Sequence, residues 1–268
     1  MRWWLCSGYF LWAQVALLPC APGLLAVDEV GHVYAWCSEE KSLLKVWAPR
    51  YDSITRVGGG PGAQEGFFEI ASLVPIGNQQ LYVLDVGQQA LLLLGTNLQI
   101  LQKVRFEQMV PDLWQGFPGR LTAMPGGDFF IVLRETQEIV RIDAFGRLLV
   151  RFGGKVAGPA ALVRVQALQA GNDLVTVLDD RYQIKVFDPW GMLLITWRLP
   201  VQTQFWTLGR GSVVWRTPEG WAYVPDVRKP ESQYTLMGLP EENPGSACLT
   251  EKILYYTRGR ALFAFSLP

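Results

Sequence analysis

The chain carries one histidine, His32, so a metal site built from several imidazoles is excluded. His32 follows a glycine turn at the start of an apolar segment, and we interpret it as a surface or strand-edge residue. The sequence contains no GxSxG, HExxH or CxxC motif and no phosphate-binding glycine loop followed by lysine. We therefore predict no catalytic residue, no metal site and no cofactor.

Four aspartates recur at matching positions, two where an apolar segment ends and two where a turn begins: Asp85, Asp179, Asp143 and Asp188. A short carboxylate at such a position accepts hydrogen bonds from backbone N–H groups about two residues further on. We predict that these acids cap turns. The glycine run GGGPG at 58–62 opens onto the strand-like FFEIASLV and not onto a helix, so we predict a connection and not an anion site.

These residues are positioned by a repeat, in which an apolar strand, a polar turn and a second strand follow one another. Six copies occur: HVYAWCSEEKSLLKV (32–46), LYVLDVGQQALLLLG (81–95), FFIVLRETQEIVRID (129–143), LVTVLDDRYQIKVFD (174–188), SVVWRTPEGWAYVPD (212–226) and ILYYTRGRALFAFS (253–266). Further apolar segments flank most copies, and helical periodicity is nearly absent. The spacing is that of four-stranded propeller blades of about 40–50 residues.

The fold prediction is all-β: a single six-bladed β-propeller of four-stranded antiparallel blades over residues 14–268. The last unit runs out after about three strands. We predict that QVALL at 14–18 supplies the missing strand, closes the ring and removes the exposed sheet edges.

The composition is that of a globular chain, with 50% hydrophobic and 18% charged residues. Lys+Arg and Asp+Glu balance at 24 each, so no overall charge recruits nucleic acid or an anionic membrane.

The segment VGGGPGAQEGFFEI followed by LYVLDVGQQALLLL, with an echo in VRFGGKVAGPAAL, resembles the NHL-repeat and related six-bladed propellers. The resemblance is at the level of the blades and covers essentially the whole mature chain. RGSVVWRTPEGWAYVPD, in the fifth unit, departs from it by lacking the usual aspartate at the strand end. The resemblance implies that metal-dependent lyases and lactonases, with sites at the axis, are relatives of this fold. The predicted inner strands are almost free of acids, and only AVDEV contributes Asp28 and Glu29.

Turns between the second and third strands of a propeller blade share a face with the connections between blades. In four successive blades these turns carry an arginine, namely Arg134, Arg181, Arg216 and Arg258, the last with Arg260 nearby. The connections on that face carry aromatic residues, namely Trp114, Phe117, Phe205 and Trp206. Arginine with exposed aromatics is typical of binding surfaces. The alternative is that the arginines are solvated and neutralised by Glu135, Asp180 and Glu219, and that the aromatics pack between blades.

The N-terminal segment has one arginine, an apolar run from Trp3 to Trp12 and then the small Ala13. This pattern predicts a secretory signal peptide over residues 1–13, because the run is shorter than the ~20 residues that span a bilayer. No later segment is long enough to span a membrane either. A longer signal, ending near Ala21 or Ala26, remains an alternative.

A lipid anchor at Cys20 is a further alternative, which Pro19 disfavours. After cleavage Cys20, Cys37 and Cys248 remain, so at most one internal disulfide forms. The pairing stays open, since it requires Cα atoms within ~7 Å of each other.

The sequence favours a secreted or periplasmic, non-enzymatic propeller that binds a protein, peptide or glycan through the face bearing the connections between blades. The first alternative is a metal-dependent propeller hydrolase or lyase of the lactonase kind. The second is a fixed subunit of an envelope assembly.

Overall fold

The computed structural model describes residues 12–59, 66–77, 79–109 and 116–268. These residues form six four-stranded antiparallel sheets arranged as the blades of a β-propeller. The predicted all-β fold with six blades is confirmed. The only helix in this part of the chain is the short α1 (Phe106–Met109).

The first strand, β1 (Trp12–Leu17), belongs to the last blade, and the other strands follow blade by blade. Blade 1 consists of β2 (Leu24–Val27), β3 (Val33–Cys37), β4 (Ser42–Val46) and β5 (Ile54–Gly58). Blade 2 consists of β6 (Ile70–Ile76), β7 (Gln80–Asp85), β8 (Ala90–Leu94) and β9 (Ile100–Arg105). Blade 3 consists of β10 (Pro118–Ala123), β11 (Phe129–Leu133), β12 (Glu138–Ile142) and β13 (Leu148–Gly153).

Blade 4 consists of β14 (Val165–Ala170), β15 (Val175–Asp179), β16 (Gln183–Phe187) and β17 (Leu193–Arg198). Blade 5 consists of β18 (Phe205–Leu208), β19 (Val213–Thr217), β20 (Gly220–Val224) and β21 (Tyr234–Leu236). Blade 6 consists of β22 (Ala247–Leu249), β23 (Ile253–Arg258) and β24 (Ala261–Ser266), completed by β1.

The closing strand is the one that the sequence predicts. Strand β1 pairs antiparallel with β24, with Ala13 opposite Ala264 and Leu17 opposite Ala261. This pairing supplies the fourth strand of blade 6, so β24 is not left as an unpaired edge. Strand β1 begins at Trp12, two residues ahead of the mature N-terminus that the sequence predicts, and residues 1–11 lie outside the described part of the chain.

The burial of the strands explains their sequence patterns. Strand β15, the second strand of blade 4, is buried at every position of VTVLD because it lies between two neighbouring blades. The outermost strand β17 alternates between partly buried and exposed residues along LLITWR. In blade 4 these two strands therefore differ in their sequence patterns.

The core of the propeller is divided among the interfaces between blades. Each hydrophobic cluster of the described residues joins two adjacent sheets, as Phe130 of blade 3 and Phe187 of blade 4 do in one of them. Side-chain oxygens also link the inner strands: Ser72 Oγ accepts a hydrogen bond from Leu121 N, and Thr122 Oγ1 accepts one from Ala170 N. The ring is thus held by packing between blades and by polar contacts around its axis.

The inner strands all run in the same direction, which gives the ring two distinct faces. The connections between blades and the turns between second and third strands lie on one face, which we call the loop face. The turns between first and second strands and between third and fourth strands lie on the other, which we call the turn face. No helix among the described residues has the length and apolar character that crossing a bilayer requires.

A disulfide between Cys20 and Cys37 lies on the loop face, with Cα atoms 6.0 Å apart. Cys20 belongs to the connection from the closing strand β1 to blade 1, and Cys37 ends the second strand of blade 1. The bond settles the pairing that the sequence leaves open. It also occupies the sulfur of Cys20, which a lipid anchor would need. Cys248 is a free thiol.

Candidate functional site

The four arginines predicted to form an arc all lie at the loop face. Arg134 and Arg181 are in the turns that follow β11 and β15, whereas Arg216 and Arg258 are near the ends of β19 and β23. Both turn arginines are exposed, so their guanidinium groups are accessible to a partner.

Two of the four guanidinium groups are held by neighbouring loops. Arg258 pairs with Glu242, Nε to Oε2 at 2.7 Å. Arg216 Nη1 donates to Gln204 Oε1 at 2.8 Å and to Asn243 Oδ1 at 2.5 Å. Of the neutralising acids named from the sequence, Glu135 has another contact, because its Oε2 accepts a hydrogen bond from the backbone N–H of Phe117.

The predicted aromatic residues have different environments. Trp114 lies outside the described residues. Phe117 is 49% exposed at the loop face, as a binding residue would be. Trp206 is partly buried and packs against the core between blades 4 and 5, and Phe205 lies against the ring of Trp221 with centroids 5.8 Å apart. The expectation of exposed aromatics therefore applies to Phe117 but not fully to Trp206.

The structure brings Arg134 together with two arginines that the sequence analysis did not single out. Arg120 lies near the start of β10, and Arg164 directly precedes β14. Burial lowers the pKa of the Arg120 guanidinium, and the positive charges of Arg134 and Arg164 lower it further. We call these three residues the Arg120 cluster. Their proximity places three cations at the loop-face end of blades 3 and 4.

A glycine makes this cluster possible. Gly119 lies beside Arg134, and a Cβ atom added to it would be 2.8 Å from Arg134 Cγ. A larger residue at this position would displace the Arg134 side chain from its place next to Arg120. The segment FPGR, residues 117–120, therefore supplies both one cation of the cluster and the space for another.

Two carboxylates lie beside the Arg120 cluster in the described part of the chain. Glu135 accepts a hydrogen bond from the backbone N–H of Phe117. Glu69 forms a loose ion pair with Arg134, Nη2 to Oε1 at 3.8 Å, and both of these side chains are more than half exposed. An exposed pair of this length stabilises by less than about 1 kcal/mol. The cluster thus retains a net positive charge at neutral pH and can accept a ligand anion.

One sequence signal could have revealed the cluster. The predicted inner-strand segments RLTAMPGGD and RVQALQAGND both begin with an arginine, Arg120 and Arg164, in blades that are adjacent in the ring. A charged residue at the start of two neighbouring inner strands lies close to the propeller axis. This signal concerns the inner strands, whereas the predicted arc was based on the turns between the second and third strands of each blade.

The repeated aspartates have the structural role that the sequence predicts. Asp85 accepts hydrogen bonds from the backbone N–H groups of Phe68, Glu69 and Gln88, at 2.9, 3.1 and 3.1 Å. Asp179 Oδ1 accepts from Arg181 N and Gln183 N in the matching turn of blade 4.

The turn aspartates of blades 3 and 4 act in the same way. Asp143 Oδ1 accepts from Phe145 N and Arg147 N, and Asp188 Oδ1 accepts from Trp190 N and Met192 N. In the fifth blade, which lacks the aspartate, Thr217 ends the strand and its Oγ1 accepts from Glu219 N at 3.3 Å. A hydroxyl therefore replaces the missing carboxylate in that turn.

His32 is also engaged within the fold. Its Nδ1 accepts a hydrogen bond from Ala48 N at 2.9 Å, and its ring lies edge-on to Trp47 with centroids 4.9 Å apart. Burial lowers the pKa of His32, so the ring is neutral at physiological pH. His32 is partly buried and directly precedes β3, so it is a structural residue at the edge of a strand, as the sequence predicts.

A cavity that is separate from the Arg120 cluster lies at the axis on the turn face. It has a volume of about 800 Å³ and is lined by residues of all six inner strands and by the turns that follow them. Asp28 and Glu29 line it, in agreement with their predicted position near the axis. Asp28 is buried and accepts hydrogen bonds from Val30 N, His32 N and Tyr34 Oη.

Glu29 is tied to the opposite charge of Arg210, Oε1 to Nη1 at 3.6 Å. Across the described residues, no group of three or more His, Cys, Asp or Glu side chains is arranged to hold a metal ion. The axial acids are therefore used for a turn and for an ion pair in this structure.

Comparison with known proteins identifies the fold. No protein-family model matches the chain, and no curated protein matches it. A gluconolactonase from Xanthomonas campestris is 13% identical, with a TM-score of 0.64, over 97% of this chain and 90% of that chain. A streptogramin B lyase is 11% identical, with a TM-score of 0.58, over 97% and 98%.

A catalytically inactive histidine-to-alanine variant of virginiamycin B lyase from Staphylococcus aureus, with quinupristin, is 11% identical. Its TM-score is 0.56, and the match covers 91% of this chain and 80% of that chain. Identities this low show the shared propeller fold alone. The resemblance to NHL repeats stays a prediction, since none of these structures is described as an NHL protein.

Proposed function

We propose that this propeller is a non-catalytic binding scaffold that recognises an acidic partner, a carboxylate-bearing protein, peptide or glycan, through its loop face. The observation that carries the proposal is the Arg120 cluster, in which the positive charges of Arg134 and Arg164 act on the partly buried Arg120 and the ion pair of Arg134 with Glu69 is loose. Fixed cations held close together repel one another. A bound anion removes that repulsion, so the arrangement favours the bound state.

Arginine suits this role because its planar group donates two parallel hydrogen bonds to one carboxylate. Arg120 is partly buried, so its charge is less screened by solvent than that of a surface residue. We propose Arg120 as the central contact and Arg134 and Arg164 as flanking contacts. Phe117, exposed next to the cluster in sequence, supplies apolar contact area.

The remaining predicted residues extend the proposed surface along the same face. Arg181 is exposed and belongs to the adjacent blade. Arg216, Arg258 and Trp206 lie on the next blades, where they would contact a partner larger than a single carboxylate. Trp114 remains part of the proposal from its sequence position alone.

A lactonase-like or lyase-like activity is the alternative, because the similar structures are enzymes of these kinds. The described residues give it less support. Asp28 has its oxygens engaged by two backbone amides and a phenol, Glu29 pairs with Arg210, and the ring nitrogen Nδ1 of His32 is hydrogen-bonded to the backbone. A fixed subunit of an envelope assembly is the second alternative, and it would leave the envelope with stable partners.

We place the protein outside the cytoplasm, in the periplasm or the extracellular space, with residues 1–13 as the signal peptide. The Cys20–Cys37 disulfide supports this location, because disulfides persist in oxidising compartments. A cleavage after Ala21 or Ala26 would remove β1, which completes blade 6. The early cleavage site is therefore the one that keeps the ring closed.

The direct test measures binding of an oligo-glutamate peptide and of oligogalacturonate by titration calorimetry at low and high salt. The variant changes Arg120, Arg134 and Arg164 to Gln. A matched control changes three exposed cations of the turn face, Arg147, Arg228 and Lys229, to Gln, which removes the same charge. We expect the first triple variant to lose at least about tenfold in affinity and the control to bind within about twofold of the wild type.

Equal loss in both variants would show a non-specific charge effect and overturn the proposal. Retention of affinity in the Arg120 triple variant would also overturn it. If the proposal holds, crosslinking in intact envelopes with the wild type and the Arg120 triple variant would identify the natural partner. A variant with Arg134, Arg181, Arg216 and Arg258 changed to Ala tests whether the whole arc contributes to that capture.

A further inference from the structure

The axial cavity on the turn face is separate from the Arg120 cluster, which lies at the other end of the inner strands. Its volume of about 800 Å³ falls within the roughly 300–1,000 Å³ typical of small-molecule sites. Residues of the inner strands of all six blades line the cavity, so its shape is set by the closed ring. A ligand there would meet a preformed site.

The wall of the cavity carries both apolar and polar side chains. Leu25, Val27 and Leu73 line it and keep part of their surface exposed although they belong to inner strands. Leu208 and Leu249 complete the apolar part of the lining, and its polar part includes Thr122, Gln169 and Thr207. Each Å² of apolar surface that a ligand removes from water contributes about 25 cal/mol. The mixed wall therefore suits a ligand with an apolar body and a polar end.

The mouth of the cavity is charged. Arg210 and Glu29 belong to turns of blades 5 and 1, so their ion pair passes over the intervening blade 6. The Nη1–Oε1 distance is 3.6 Å, and the side chains are 34% and 58% exposed. Such a pair stabilises by less than about 1 kcal/mol, so a ligand carboxylate can replace Glu29 on Arg210.

The charge of Arg210 also acts inside the cavity. It lowers the pKa of the Cys248 thiol, although burial outweighs it and raises that pKa. Cys248 lines the cavity and is the free cysteine among the described residues. Arg210 also lines the cavity and is partly exposed, so its guanidinium is available to the charged end of a ligand.

From these contacts we infer that the axial cavity binds a small amphipathic carboxylate. Its carboxylate pairs with Arg210 in place of Glu29, and its apolar body lies among Leu25, Val27 and Leu73. The inference concerns a different face and a different ligand size from the proposed partner surface. It stands or falls independently of that surface.

The test uses decanoate as the probe, with decanol and decylamine as ligands of the same chain length but neutral or positive head groups. Binding to the full-length protein is measured by titration calorimetry. The expected order of affinity is decanoate, then decanol, then decylamine. Arg210→Gln should reduce the affinity for decanoate about tenfold, to that for decanol, whereas Glu29→Gln should strengthen it, because the competing carboxylate is gone.

Protection of Cys248 from alkylation shows whether the ligand binds in the axial cavity. In a Cys6→Ser background, alkylation of Cys248 by iodoacetamide at about pH 9 is followed by mass spectrometry. Decanoate should slow the reaction in the wild type and not in Arg210→Gln. Lys229→Gln, at an exposed cation of the turn face that does not line the cavity, is the control and should change neither binding nor protection. If oligo-glutamate does not bind but decanoate still protects Cys248, the proposed function is overturned and the inference about the axial cavity stands.

Two results would overturn the inference. The first is decanoate binding that leaves the alkylation rate of Cys248 unchanged, which would place the ligand elsewhere. The second is tighter binding of decylamine than of decanoate, which would make Glu29 the contact and a cation the ligand. Absence of binding by all three probes also contradicts it, because the packing on Leu25, Val27 and Leu73 should retain decanol.

Discussion

Cys20 and Cys37 join the connection that follows the closing strand to the second strand of blade 1, across the point where the ring closes. The bond encloses a sequence separation of 17 residues. In the chain-entropy model a loop of this size stabilises the folded state by about 3 kcal/mol. The closure is therefore secured covalently as well as by strand pairing.

The first prediction concerns this bond. Cys37→Ser should lower the free energy of unfolding by about 3 kcal/mol in denaturant titrations without reductant. Reductant should destabilise the wild type by a similar amount and leave the variant unchanged. Cys248→Ser, which removes a free thiol, is the control and should remain sensitive to reductant. An unchanged midpoint for Cys37→Ser would show that strand pairing alone secures the ring.

The second prediction compares two arginines of blade 3. Arg120→Gln should leave the free protein as stable as the wild type or more so by up to about 1 kcal/mol, since it removes a partly buried charge beside two like charges. Arg141→Gln should destabilise the protein by about 1–3 kcal/mol. Arg141 pairs with Asp128 at 2.6 Å, so the substitution leaves that carboxylate without its partner. Thermal unfolding of both variants measures the difference. Equal destabilisation would contradict the view that Arg120 is kept for binding.

The third prediction concerns the buried turn carboxylates. Asp85→Ala should destabilise by about 3 kcal/mol, because three backbone N–H groups lose their acceptor. Asp188→Ala, in a more exposed turn with two N–H contacts, should cost about 1 kcal/mol. Both variants should retain the binding of acidic peptide at temperatures where they are folded. Loss of binding by folded Asp85→Ala would give this residue a functional role instead.

The fourth prediction concerns pH. Burial raises the pKa of Cys248 to about 11, above the unfolded value of about 8.5. For an acidic group with a raised folded pKa, the stabilising contribution is present below the unfolded pKa and is lost as the pH rises toward the folded pKa. The wild type should therefore lose stability relative to Cys248→Ala between about pH 8.5 and 11, by about 1–3 kcal/mol. A constant difference in the free energy of unfolding between the two proteins over this range would contradict a raised pKa of Cys248.

The same pKa sets the reactivity of the thiol. The rate of alkylation by iodoacetamide should rise about tenfold per pH unit above neutrality, without a plateau near the usual thiol pKa. A plateau near pH 8.5 would indicate that the sulfur is more solvated than the structure shows.

The fifth prediction concerns the closing strand. A chain beginning at Gln14 should fold with most of the stability of the wild type, because the pairs from Gln14 to Leu17 with β24 remain. A chain beginning at Gly23 should aggregate or unfold at lower temperature, because β24 becomes an unpaired edge and the buried Leu18 is lost. Size-exclusion chromatography and thermal unfolding distinguish the two. Equal behaviour would show that β1 is dispensable, and N-terminal sequencing of the exported protein would then decide the cleavage site.

The six blades, their four strands and the closure by the N-terminal segment are all readable from the sequence. The reason is that each depends on patterns within a few residues: continuous apolar runs for strands between blades, alternation for outer strands, and aspartate or glycine at turns. The turn-capping aspartates belong to the same class. Asp85 and Asp143 contact amides within a few residues of themselves or of the adjoining strand, so their position in the repeat predicts their partners.

The candidate site was predicted only in part. The sequence placed Arg134, Arg181, Arg216 and Arg258 on one face, because topology alone decides which turns share a face. It did not reveal that Glu242 neutralises Arg258, or that Arg120 and Arg164 adjoin Arg134. Those contacts join residues from different strands, turns and connections, and they depend on side-chain directions.

The sequence by itself thus determined the repeat, the number of blades and the faces on which the polar residues lie. Only the tertiary structure decided which residues meet across the ring: Cys20 with Cys37, Glu29 with Arg210, and the three arginines of the Arg120 cluster. The physical reason is that strands and turns are stabilised by local hydrogen bonding and alternation, whereas contacts between blades are set by how closely the sheets pack. Small differences in side-chain volume, such as glycine at position 119, decide those distances.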